Sequence, residues 1–133
     1  MRISIAMGVV VSALLAPRYL DAGPNDLNVW FIDVEGGQAT LFALPSGQSV
    51  LIDTGWGERD AKRIVEAVKE AGLKQIDYLI ISHYREDHVG GVPALSARIA
   101  IKNFIDHGEV VEHSPAAQKL YDDYVKAFSK GIT

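Results

Sequence analysis

Asp77-Tyr-Leu-Ile-Ile-Ser-His-Tyr-Arg-Glu-Asp-His-Val-Gly-Gly91 is the stretch that decides the fold. Its apolar run, Tyr78 to Ile81, has the length and β-branched content of a buried strand. The run stops at Ser82, and His83, Arg85, Glu86, Asp87 and His88 follow at once. Two glycines, Gly90 and Gly91, close the stretch and allow the backbone to pack closely while it turns. A buried strand that ends in histidine and carboxylate delivers those groups to its C-terminal edge, where open α/β sheets place their chemistry.

Imidazole and carboxylate are natural ligands of Zn2+ and similar divalent ions. On extended backbone residues two apart point the same way, so positions 83 and 85 share a side. Asp87 and His88 lie in the turn into the next element and can point back at the same region. An exposed polar loop is the other reading of the same residues. Asp53-Thr54-Gly55 ends a separate short strand that can reach the same edge. Asp53 is there either to accept a hydrogen bond from a ligand imidazole or to form the turn before Gly55.

Upstream of this stretch, Leu27 to Val34 is strand-like, Glu35-Gly36-Gly37-Gln38 is a turn, and Ala39 to Leu44 is a second strand. Pro45-Ser46-Gly47-Gln48 is a tight turn, and Ser49 to Ile52 is a third strand. Glu58 to Ala71 reads as a helix, with Ala61, Ile64, Val65, Val68 and Ala71 on one face and Gly72 at the αL cap position. Downstream, Pro93 to Ala97 is a short helix and Ile99 to Ile105 another strand. Ser114-Pro115 caps a last helix running to about Ser129, whose apolar face is Leu120, Tyr121, Tyr124, Val125 and Phe128. The order strands, helix, strand, short helix, strand, helix is an α/β layout, a sheet covered by helices.

The 133 residues make one domain or a piece of one. An apolar fraction of 48% with 23% charged residues belongs to a globular chain. The net charge of -4 gives no basic footprint for direct nucleic-acid binding. There is no cysteine, which excludes a disulfide framework, a thiolate metal site and a cysteine nucleophile. Arg2 followed by the apolar run Ile3 to Ala16 has the form of a secretory signal peptide, with a buried first helix or strand as the other reading. Residues 1–22 are taken as the signal peptide, which makes the chain exported, periplasmic or extracellular; without export it is cytoplasmic. The run is too short for a stable membrane anchor. Arg18 to Asp26, with Gly23, Pro24 and Asn25, reads as a linker.

Two segments together resemble the metallo-β-lactamase-fold hydrolases, whose mark is a strand followed by His-x-His-x-Asp-His-x-Gly-Gly, preceded by a Leu-Ile-Asp-Thr-Gly turn. This chain has His83-Tyr-Arg85-Glu-Asp87-His88-Val-Gly90-Gly91 and Leu51-Ile52-Asp53-Thr54-Gly55. Phe31-Ile-Asp-Val-Glu-Gly-Gly-Gln38 is similar to the opening strand of the DNA-uptake branch of that superfamily. The resemblance spans about Leu27 to Gly108. It implies a metal-dependent hydrolase in which a metal-bound hydroxide attacks an ester, phosphodiester or amide-like bond of a small-molecule or phosphodiester substrate. It implies metal ligands His83, Asp87 and His88, of which Asp87 and His88 carry the catalysis, with Asp53 behind them.

The chain departs from the family pattern in two ways. The second histidine of the motif is Arg85, which has no lone pair to donate. One ion, Zn2+ or another divalent metal, is therefore expected rather than two, and Arg85 is free to clamp an anionic substrate group. The family fold is a four-layer αββα sandwich of two αβ halves, and residues 23–133 resemble only the N-terminal half. Later ligands would come from the second half. His107, in Ile105-Asp106-His107-Gly108, is a further candidate at the site edge. A half-sandwich leaves one sheet face uncovered and open to self-association. A degenerate or truncated member acting as a binding or assembly module is thus the alternative expectation.

Overall fold

In the computed structural model the described residues are Gly23 and 25–131, so the signal-peptide reading of residues 1–22 lies outside them. Five strands form one mixed sheet in sequence order: β1 (Asn28–Phe31), β2 (Thr40–Ala43), β3 (Ser49–Ile52), β4 (Ile76–Ile80) and β5 (Ile101–Ile105). The first three form an antiparallel meander, and β3–β4 and β4–β5 pair in parallel. Parallel neighbours need crossovers. The helix α1 (Glu58–Glu70) supplies the first; α2 (Glu86–Val89) and α3 (Val92–Ser96) supply the second, and α4 (Pro115–Gly131) follows β5.

The register explains which side chains are buried. Trp30, Leu41, Leu51, Leu79 and Phe104 stand opposite one another across the five strands, so they share a face. Leu41, Leu51 and Leu79 are fully buried there, in one core with Ala61, Ile64 and Val68 of α1, Val92 and Leu95 of α3, and Tyr124 of α4. The opposite face carries Phe31, Thr40, Ile52, Ile80 and Ile105 in one row and Val29, Phe42, Val50 and Tyr78 in the next. Phe31 is 84% exposed and Ile105 44%. The described part is an α/β layer pair, with helices on one side of the sheet.

Local sequence sets the element ends. Gly72 adopts φ +72 and the Leu73 N–H bonds back to the Val68 carbonyl, which closes α1 as its αL position predicts. Ser114 Oγ accepts from the Ala117 N–H at 3.1 Å and starts α4. Other limits differ from the sequence expectation. β1 stops at Phe31 rather than Val34, because the chain turns through Glu35 at φ 50 and Gly36 at φ 89. β4 begins at Ile76, two residues early, because the buried Asp77 carboxylate takes the Ser49 N–H at 2.9 Å and belongs to the sheet. The turn holding Asp87 and His88 is one helical turn, α2. On α4 the buried residues are Ala117, Tyr124 and Ala127, whereas Phe128 sits at the rim against Phe104, with ring centroids 5.5 Å apart. No helix among the described residues is long and apolar enough to cross a membrane.

Candidate metal centre

The loop after β4 is held in place by its backbone. The Asp87 carbonyl accepts the Gln38 N–H at 3.0 Å, and the His88 carbonyl accepts the Thr54 N–H at 2.7 Å and its hydroxyl at 3.0 Å. The Gly91 N–H donates to the Gly55 carbonyl at 3.2 Å. These bonds join α2 to the β1–β2 turn and to the turn after β3. The two glycines of the motif are required by this contact. A Cβ on Gly91 would lie 2.1 Å from the Thr54 carbonyl oxygen, and one on Gly90 2.2 Å from that of Trp56.

Asp53 is 1% exposed and sits at φ 59, a left-handed conformation that aspartate tolerates better than most residues. Its Oδ1 accepts the Ser82 N–H at 2.8 Å and its Oδ2 accepts the Ser82 hydroxyl at 2.7 Å. The same Oδ2 stands 2.8 Å from His88 Nδ1. That contact is favourable with the proton on Nδ1, which leaves the Nε2 lone pair for a ligand. Nε2 faces Asp87 Oδ2 at 3.5 Å. The His83 ring lies against that of His88, with centroids 4.0 Å apart and planes tilted by 50°. Burial first, and then the neighbouring His88 imidazole, push His83 below the usual histidine range, which favours its neutral form near pH 7.

Arg85 replaces a donor with a charge. Its Nη2 donates to Asp87 Oδ2 at 3.0 Å; the Asp87 side chain is 8% exposed and that of Arg85 64%. His107 is exposed on the loop after β5 and its ring lies tilted against that of Tyr84, with centroids 4.8 Å apart. No hydrogen bond joins it to His83, Asp87 or His88 among the described residues. The structure thus brings His83, Asp87, His88, Asp53 and Arg85 together and sets His107 apart from their contacts.

Whether these groups suit a metal can be tested from one distance. Two donors about 2.1 Å from a tetrahedral zinc lie about 3.4 Å apart. Asp87 Oδ2 and His88 Nε2, at 3.5 Å, have that spacing. Among the described residues no group of three or more His, Cys, Asp and Glu is arranged to hold an ion. The Asp87 and His88 donors thus have the spacing that two ligands of a metal ion require, with the His83 ring adjacent. An open cleft of about 470 Å³ lies alongside, lined by Glu35, Trp56, Gly57, Glu58, Arg59 and Asp60. It borders the α2 loop through Trp56, whose indole donates to the Val34 carbonyl at 3.0 Å.

Sequence reasoning missed Ser82, which ties both Asp53 oxygens to the end of the strand, and Tyr84. Tyr84 is 5% exposed and donates to the Gly108 carbonyl at 2.7 Å, joining the motif loop to the segment before α4. The signal for Ser82 is a lone polar residue ending an apolar run. For Tyr84 it is an aromatic residue alternating with two polar ones on extended backbone.

Comparison with known proteins gives the family of the chain. The Metallo-beta-lactamase superfamily matches residues 32–132. The chain is 40% identical over 52 residues to a hydroxyacylglutathione hydrolase of Stenotrophomonas maltophilia, covering 39% of this chain and 18% of that protein. It is 32% identical over 79 residues to a metallo-beta-lactamase type 2 of Bacillus sp. strain 170, covering 53% and 30%. A solved structure of a metallo-beta-lactamase HARLDQ motif mutant from Cronobacter sakazakii is 28% identical, covering 55% of this chain and 29% of that one, with a TM-score of 0.45. The chain spans less than a third of the length of each of these relatives. With its family match running from just after the first strand through the last helix, the chain belongs to the metallo-beta-lactamase superfamily.

Proposed function

We propose that this chain carries a metal-dependent hydrolase centre of reduced form. One divalent ion, zinc before any other, is held by Asp87 and His88 with His83 at its side. Superfamily membership supports metal-dependent hydrolysis in general. The observation that carries the finer reading is the relay Asp53 Oδ2–His88 Nδ1 at 2.8 Å with His88 Nε2 opposite Asp87 Oδ2 at 3.5 Å. When bound, such an ion lowers the pKa of its water and supplies hydroxide near neutral pH.

The chain's own groups do the rest. Asp53 fixes the tautomer and the ring plane of His88, and Ser82 holds Asp53 from the opposite side. His83, neutral beside His88, offers a further nitrogen. The exposed Arg85 guanidinium can hold an anionic group of the substrate, an ester, a phosphodiester or an amide-like compound. The apolar run Ile3 to Ala16 behind Arg2 supports export of the chain. Metal analysis after dialysis against zinc tests the centre. About one equivalent is expected in the wild type and none in Asp87→Ala; metal at background in the wild type would refute it.

A second reading has one observation in its favour. The sheet face opposite the helices is mostly apolar, with Phe31 84% exposed and only the uncharged Thr40 and Asn103 as polar residues of its two paired rows. Twisted sheets pack face to face about 10 Å apart, and a second copy of the chain offers a matching sheet by two-fold symmetry. In that reading the chain is an assembly module. Sedimentation at several concentrations should then show a dimer that Phe31→Lys dissociates, and a wild-type monomer throughout would exclude it.

A further inference from the structure

Arg85, the residue that breaks the histidine pattern, is also the one that touches a donor. Its Nη2 bonds Asp87 Oδ2 at 3.0 Å, and that same oxygen faces His88 Nε2 at 3.5 Å. The carboxylate is nearly buried while the guanidinium is 64% exposed. A guanidinium keeps its proton at any pH a protein survives, so it is a cation of fixed charge. Asp87 is its one ion-pair partner among the described residues. The oxygen that faces His88 Nε2 is thus already ion-paired with a charge belonging to the chain. A divalent ion that approaches Asp87 and His88 has to share this oxygen with Arg85 or take it, and in either case sits beside its positive charge.

We propose that Arg85 is a built-in competitor for the cation site: it holds Asp87 in a charge-compensated state and thereby sets the affinity of the centre for metal. Exposure makes the exchange feasible, because the guanidinium can swing into solvent without unpacking a core. This inference rests on the metal reading above and adds the residue that controls loading. It also separates two effects of a histidine-to-arginine change that are easily merged. Losing a ligand weakens binding, and so does supplying a rival cation; replacing Arg85 with a neutral residue that cannot ligate reverses only the second.

The test is titration of the full chain with Zn2+ alone, followed by dye competition or calorimetry, for wild type, Arg85→Met and Arg85→Met/Asp87→Asn. An exposed ion pair plus one adjacent like charge corresponds to a gain of about tenfold in affinity for Arg85→Met. The double variant should lose that gain, because the contested oxygen is gone. Zinc binding by wild type and Arg85→Met with equal affinity would overturn the role of Arg85 and leave the metal reading standing. No binding by either would overturn both. A gain that survives in the double variant would place the ion elsewhere and also overturn the proposal. Melting curves of all three proteins check that the folds are equivalent.

Discussion

Gly91→Ala should damage the protein far more than a single methyl group normally does. The new Cβ would lie 2.1 Å from the Thr54 carbonyl oxygen and 3.0 Å from the Thr54 Cβ. Non-bonded carbon and oxygen need about 3 Å, so one backbone must retreat by roughly 1 Å. Both are held: Thr54 bonds the His88 carbonyl through its N–H and its hydroxyl, and the Gly91 N–H bonds the Gly55 carbonyl. The strain falls on main chain, so the cost belongs near the upper end of the overpacking range, about 3 kcal/mol. For a domain of this size 1 kcal/mol moves the melting temperature by about 4 °C, which gives a drop of about 12 °C. Far-UV circular dichroism melts at fixed pH and concentration measure it. Gly57→Ala is the control, because a Cβ there meets nothing within 4 Å; it should cost no more than about 1 kcal/mol. A Gly91→Ala protein that melts within about 3 °C of wild type, or a Gly57→Ala protein that falls as far, would show that this close approach does not hold the loop.

Three further outcomes are expected. Asp53→Asn removes the negative partner of His88 and should weaken zinc binding by about 10- to 100-fold, as read by dye competition on the folded protein; unchanged affinity would remove Asp53 from the centre. Burial works against ionisation of Asp77, but the Ser49 N–H and Lys102 hold its carboxyl below the usual aspartate range. Its stabilising effect is therefore complete above the unfolded value near 4 and is lost as the pH falls through the lower folded value. Melts between pH 7 and pH 3 should fall less steeply for Asp77→Asn than for wild type, and equal slopes would refute this. Tyr124→Phe deletes the 2.6 Å bond to Asp106 Oδ2 from a ring that is 2% exposed. The expected loss is about 1–2 kcal/mol in a urea titration, and an unchanged midpoint would contradict it.

The parts of the fold legible in the sequence are those set by short-range chemistry. β3 was readable as Ser49 to Ile52, α1 ends where Gly72 demands, and Ser114 caps α4. Less legible were boundaries decided by distant partners. Asp77 reads as a polar residue outside a strand until Ser49 and Lys102, contributed by other strands, neutralise it. The site followed the same division. The loop with His83, Asp87 and His88 was visible as a motif, and Asp53 was visible as a possible support. The Asp53–Ser82–His88 contacts need three segments to converge, and nothing within one segment encodes their distances. Arg85 was visible as a departure from the family pattern, but not its bond to Asp87, because an extended 83–85 segment followed by a turn leaves the direction of that side chain open. Nor was the position of His107 legible, on the loop after β5 with its ring against that of Tyr84.

The backbone anchoring of α2 has a consequence for redesign. Gln38, Thr54 and Gly55 grip main-chain atoms of residues 87, 88 and 91, so the loop has a frame that the exposed Arg85 side chain does not supply. Position 85 is therefore the point at which another group can be grafted while the loop keeps its course, whereas His88 is tied to the buried Asp53 and has to stay.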